Sequence, residues 1–143
     1  EFHVYDSFAG LPEKTQADSS VAGEQFKAGE LLAPRKTLVQ NFKRAGLKLP
    51  IIHKGWFADF TPDDVPEDII FAFFDGDFYE SIADSFRLCD GKFQETATII
   101  VDDYANEALP GAARAVDKWL ANNRQYASRT ESSLAIISSC PKT

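Results

Sequence analysis

Methionine is absent from the 143 residues. Glu1 is therefore not a translation start, and the expectation is a single domain that opens inside a fold, over residues 1–143, with an amino-terminal part missing. Cysteine occurs only twice, as Cys89 and Cys140. Two unpatterned cysteines exclude a disulfide framework and read as reduced thiols of a cytoplasmic protein. Runs of basic residues are missing as well, and the net charge is −7. That argues against nucleic acid as a partner, because such binding rests on neutralising phosphates with Lys and Arg. No apolar stretch approaches the length of a membrane span, and no signal-peptide pattern opens the chain. Internal repeats and low-complexity tracts are also lacking.

What is present is concentrated in one stretch, Ile69-Ile-Phe-Ala-Phe-Phe-Asp75-Gly-Asp77-Phe-Tyr-Glu-Ser81. Its six opening apolar residues predict a strand buried on both faces, as in a parallel sheet. Asp75 then stands at the carboxyl end of that strand, where open α/β sheets bind their ligands. Gly76 is expected to let the backbone turn sharply without a Cβ penalty. Beyond it, Tyr79, Ile82, Phe86 and Cys89 share one face of a predicted helix.

A second stretch answers the first. Thr96–Val101 is rich in β-branched residues and runs into Asp102-Asp103-Tyr104. The interval between Asp75 and Asp102 accommodates a helix, a return loop and a parallel strand. If the two strands are neighbours, their terminal carboxylates converge. Crowded like charges raise one another's pKa, and a hard divalent cation with oxygen ligands, Mg²⁺ or a relative, relieves them.

The remaining elements follow in order. Phe2 to Asp6 predicts a first strand, and an acid at such a strand end either accepts from a nucleotide ribose or caps the following turn. Residues 13–33 read as a long loop, a lid or a mobile connection. Pro34 opens a helix with Leu38, Val39, Phe42 and Ala45 as its apolar stripe, and Gly46 closes it. Pro50–His53 is a short strand, and His53 is either a ligand or base or simply a packed, hydrogen-bonded side chain. After Pro110, the residues Ala112, Val116, Trp119 and Leu120 form another helical stripe, ended by Asn122-Asn123. Tyr126–Ser128 and Leu134–Ser139 form a closing pair of strands. The order predicts a doubly wound, mostly parallel α/β sheet finishing in an antiparallel hairpin.

Six segments carry a resemblance: Tyr5-Asp-Ser-Phe-Ala-Gly-Leu-Pro12, Val39-Gln-Asn-Phe42 with Gly46-Leu47, Gly55-Trp-Phe57, Asp75-Gly-Asp-Phe-Tyr-Glu-Ser81, Val101-Asp-Asp-Tyr104 and Pro110-Gly-Ala-Ala-Arg-Ala-Val116. Together and in this order they resemble the macrocin O-methyltransferase family. The resemblance implies a class I, Rossmann-like methyltransferase fold, S-adenosylmethionine as cofactor and a required Mg²⁺ or similar cation. It implies Asp75, Asp102 and Asp103 as metal ligands and Asp77 as the general base toward the hydroxyl of a small-molecule acceptor, of sugar or natural-product type. It also implies Asp6, Ser7 and Phe8 beside the cofactor's ribose.

Two departures stand out. Ile82 follows Ser81 where the family has Thr, and no Gly-x-Gly follows a strand anywhere in the chain. The family's first strand and its glycine-rich turn are thus expected to be missing, leaving Ile69–Phe74 beside a gap. Homo-oligomerisation is one relief for such a gap. Competing readings are a truncated, inactive methyltransferase-like domain, a metal-dependent glycosyltransferase, or an Asp-x-Asp phosphohydrolase. The last wants Thr or Val where Tyr79 stands.

Overall fold

The computed structural model describes residues 1–23 and 25–140. Six strands and three α-helices alternate along the chain: β1 (His3–Asp6), α1 (Arg35–Arg44), β2 (Ile51–Lys54), β3 (Ile69–Phe74), α2 (Tyr79–Cys89), β4 (Phe93–Val101), α3 (Pro110–Asn122), β5 (Tyr126–Glu131) and β6 (Leu134–Ser139). The strands form two sheets rather than one. β1 and β2 pair in parallel, and a four-stranded sheet follows the order β3-β4-β6-β5. β3 and β4 are parallel neighbours, while β6 runs antiparallel to both β4 and β5, as the hairpin prediction requires.

The core lies between the larger sheet and the α2–α3 pair. Ile82 and Phe86 of α2, Ile99 and Val101 of β4, Ala112 and Val116 of α3 and Ile137 of β6 are all buried. Phe86 is its keystone: it stacks on Trp119 with centroids 4.3 Å apart and meets Phe74 edge-on at 5.1 Å. The predicted stripes on α2 and α3 are thus the buried faces, with Ser85, Leu88, Gly111 and Ala115 widening them. The stripe on α1 is shallower, since none of its residues is fully buried.

One expectation is corrected. β3 is not buried on both faces: it is an edge strand, with Ile70, Phe71 and Phe73 about half or more exposed. Its apolar run has the composition of an interior strand, but among the described residues no strand pairs with it on the side away from β4. Gly76 spares the turn a Cβ, as expected, although it is not the residue with the left-handed backbone. Asp77 is, at φ 58°, and glycine stands at 76 because a Cβ there would lie 2.8 Å from that of Ser81.

The 13–33 loop is irregular apart from a 3-10 turn at Gln16–Asp18, and it is tied down. Asp18 is buried, accepts from the backbone N–H and hydroxyl of Thr15, and caps α2 by accepting from the Tyr79 N–H at 2.6 Å. Gly111 makes room for that carboxylate, since a Cβ there would lie 2.0 Å from the Asp18 oxygen. Arg114 of α3 donates to the carbonyls of Ala17 and Ser19. Leu11, Phe78 and Leu109 form a second small core beneath this loop. Among the described residues, no helix is long and apolar enough to cross a membrane.

Candidate active site

Parallel pairing brings the ends of β3 and β4 side by side. Phe73 pairs with Ile100 and Phe74 with Val101, and the Asp102 N–H donates to the Phe74 carbonyl at 2.9 Å. The chain then leaves both strands through acidic turns. Oxygens of Asp75, Asp77 and Asp103 lie within 4.8 Å of one another, a span suited to holding one cation. Asp77 and Asp103 both adopt positive φ, which Asp tolerates better than most residues. Asn106 donates to the Asp103 carboxylate at 2.8 Å and holds it in place. Asp102 stands just outside the three. Its Oδ1 accepts from the Asp103 N–H at 2.8 Å and from the Ser133 hydroxyl at 3.4 Å.

The electrostatics are those of crowded acids. Burial, and then the charges of Asp75, Asp103 and Asp102, push the Asp77 carboxyl up to about 7. Asp75 is also raised, by burial first and then by Asp102, Asp103 and Asp6. Asp75 still opens onto solvent at the cavity mouth, so part of this repulsion is screened. These carboxylates supply hard oxygen donors and surplus negative charge, and both fit a divalent cation.

Metal-free protein should therefore lose stability as pH rises. The folded Asp77 keeps its proton to about pH 7, while the unfolded one releases it near its ordinary value of 3.8. Stability is thus greatest below about pH 4 and falls until about pH 7. A sealed group so shifted would cost about 4 kcal/mol, which partial exposure and screening reduce to about 1–2 kcal/mol. In chelator, Asp77→Asn is expected to melt several degrees higher than wild type at pH 8 and with little difference at pH 4. Equal melting temperatures at pH 8 would show that the acids do not strain the fold.

Beside the acids lies a cavity of about 230 Å³, lined by Asp6, Ser7, Gly10–Pro12, Leu31, Ala33, Gly55–Phe57, Asp75–Asp77 and Ser81. Of the expected cofactor residues, Asp6 and Ser7 are there and Phe8 is not. Asp6 also makes the bland contact, accepting from the Phe8 N–H at 2.5 Å. The Ser7 hydroxyl is spent on its own turn, with Ala9 N–H and the Gly10 carbonyl. Gly55, Trp56 and Phe57 also line it, next to Asp6, whose carbonyl accepts from the Gly55 N–H at 3.0 Å, and Arg87 braces them by donating to the carbonyls of Phe57 and Phe60. His53 is not in the lining. It lies 3.1 Å from a ring nitrogen of His3, stacks on Tyr5, and has its pKa lowered by burial and then by His3. It is a packed histidine.

Asp18, Leu31 and Ala33 carry little advance signal. Only the Thr15-x-x-Asp18 spacing, a capping pattern, marks the first of them.

The sequence profile described as macrocin-O-methyltransferase (TylF) matches residues 1–130. No curated protein matches. Among solved structures, the O-methyltransferase NovP superposes with a TM-score of 0.80 at 24% identity, over 97% of this chain and 60% of that one. CalS11, a calicheamicin methyltransferase, gives 0.77 at 18% identity over 95% and 59%. An apo structure of CalS11, described as a TDP-rhamnose 3'-O-methyltransferase, gives 0.54 at 20% identity over 62% and 42%. The fold is therefore the Rossmann-like fold of methyltransferases, and the chain spans about three fifths of the length of the first two structures.

Proposed function

Since the chain belongs to the macrocin O-methyltransferase family, we propose that it forms the cation- and acceptor-binding part of an S-adenosylmethionine-dependent O-methyltransferase. The observation that carries this reading is the convergence of three carboxylates where the parallel strands β3 and β4 end. S-adenosylmethionine, when bound, supplies an electrophilic methyl group. A divalent cation, when bound, makes a neighbouring hydroxyl more acidic.

Asp75 and Asp103 are the nearest oxygen donors for that cation. Asp102 is the third, through the oxygen its hydrogen bonds leave open. Its support is that Asp102 is the charge acting most strongly on Asp75. Asp77, beside Asp75 and Asp103, takes the proton from the acceptor hydroxyl. Asp6 and Ser7, in the lining of the same cavity, border the ribose of the methyl donor. The negative lining also favours the donor's sulfonium charge. The acceptor class is a sugar-type hydroxyl, supported by the likeness to CalS11, a TDP-rhamnose 3'-O-methyltransferase.

Calorimetric titration with Mg²⁺ tests the site. Removing a carboxylate removes both a ligand and a charge, so Asp75→Asn and Asp103→Asn should each weaken binding by about tenfold or more. Mg²⁺ affinity equal to wild type in both variants would rule out a cation site at these strand ends.

A further inference from the structure

Asp18 is the one buried charged side chain among the described residues, at 2% exposure, and the chemistry proposed above makes no use of it. Among those residues no cation pairs with it either. Its carboxylate is met by peptide and hydroxyl donors instead. One oxygen accepts from the N–H and the hydroxyl of Thr15, at 2.9 and 3.0 Å, within its own loop. The other accepts from the Tyr79 N–H at 2.6 Å, 61 residues further along the chain. Burying a carboxylate is costly, so the contacts it makes there call for a reason.

Tyr79 opens α2, a helix with no cap of its own. Phe78, in the N-cap position, offers no side-chain acceptor. Asp18 supplies the missing one from outside, and an acid suits the positive end of a helix. The fold is shaped around this contact. Gly111, in the first turn of α3, stands where a Cβ would lie 2.0 Å from the Asp18 oxygen and 2.7 Å from the Tyr79 nitrogen. Only a residue without a side chain lets the three segments meet.

What the contact holds lies two residues upstream. Asp77 keeps a left-handed backbone, at φ 58°, which costs any residue with a Cβ. Such a conformation persists where its neighbours fix it from both sides. On one side Gly76 is packed against Ser81 and Ile82. On the other, Phe78 is sunk at 1% exposure with Leu11 and Leu109, and its N–H turns back to the Gly76 carbonyl at 2.6 Å. The bond from Tyr79 to Asp18 completes the set. The same loop also reaches the cavity: Leu11 exchanges backbone hydrogen bonds with Gly29 and Glu30, and Leu31 and Ala33 then join the lining.

We infer that Asp18 is a positioning residue: through the Tyr79 N–H, its carboxylate holds the left-handed turn that aims Asp77 into the cavity. The inference rests on the reading of Asp77 as the general base. Asp18 itself touches neither substrate nor cation. Its loss leaves the base present but lets the turn relax, so Asp77 meets the acceptor hydroxyl less often while both substrates still bind.

The test is single-turnover kinetics in the complete enzyme, with double variants beside the single ones. Asp18→Ala is expected to lower the rate by about 10- to 100-fold, with the half-saturating acceptor concentration and the Mg²⁺ affinity unchanged. Gly111→Ala, which pushes the carboxylate off Tyr79 without removing it, should do the same and serves where Asp18→Ala does not fold. Asp18→Asn keeps an oxygen for the Tyr79 N–H and should recover most of the rate. In an Asp77→Asn background, Asp18→Ala should add nothing, because no base is left to aim. Arg114→Ala frees the loop at the Ala17 and Ser19 carbonyls but leaves Tyr79 capped, and it should react like wild type. Three results would overturn the inference: a wild-type rate in Asp18→Ala, losses that multiply in the double variant, or an equal loss in Arg114→Ala, which would make Asp18 a fastener of the loop alone. A wild-type rate in Asp77→Asn would instead remove the base, and the inference with it.

Discussion

Asp77→Asn in the complete enzyme is expected to lower turnover by about 10²- to 10⁴-fold, with the affinity for S-adenosylmethionine unchanged. Asn is close in size to Asp and tolerates the left-handed backbone that Asp77 adopts at φ 58°, so the turn survives the exchange. What disappears is the proton acceptor. A cation bound by the neighbouring carboxylates favours the ionised form of Asp77, the form that takes a proton. Single-turnover kinetics beside Mg²⁺ calorimetry separates the possible roles. Loss of turnover with Mg²⁺ affinity retained identifies a base, whereas a parallel loss of affinity would make Asp77 a ligand, as its closeness to Asp75 and Asp103 allows. Unchanged turnover would remove Asp77 from the chemistry altogether.

The largest stability effect is expected at Phe86. Phe86→Ala should cost about 3–5 kcal/mol, read as a lower urea midpoint with the slope preserved. Phe86 is 2% exposed and its ring joins the sheet to the helix pair, meeting Phe74 on β3 and Trp119 on α3. Since a domain of this size is stabilised by about 5–15 kcal/mol in all, the variant should be close to unfolding. A loss under about 1 kcal/mol would place the centre of the core elsewhere.

Much of this was legible along the chain. The period of the apolar residues in Tyr79–Cys89 and Pro110–Asn122 marks both core helices, because a helix must bury one stripe. The β-branched run to Val101 and the apolar run to Phe74 mark two strands, and acids at their ends mark the site. Strand length was less legible. β4 begins at Phe93 and β5 extends to Glu131, through polar residues whose strand character comes only from pairing.

Local sequence by itself determined the elements, the acidic turns and the direction of the chemistry, because those follow from side-chain periodicity and from the charge of adjacent carboxylates. Only the tertiary structure decided which carboxylates meet. Asp77 joins Asp75 and Asp103 while Asp102 turns toward Ser133, since the register of β3 on β4 and the left-handed turns at 77 and 103 aim the side chains. It decided too that the 13–33 loop is fastened, through Asp18, to the helix that follows Asp77. The gap expected beside Ile69–Phe74 is there, with β3 at an edge facing β1 across an open groove, but how far its side chains are exposed was decided by the tertiary structure. Burial is a property of neighbours, and a strand's composition records the neighbour it suits rather than the one it has.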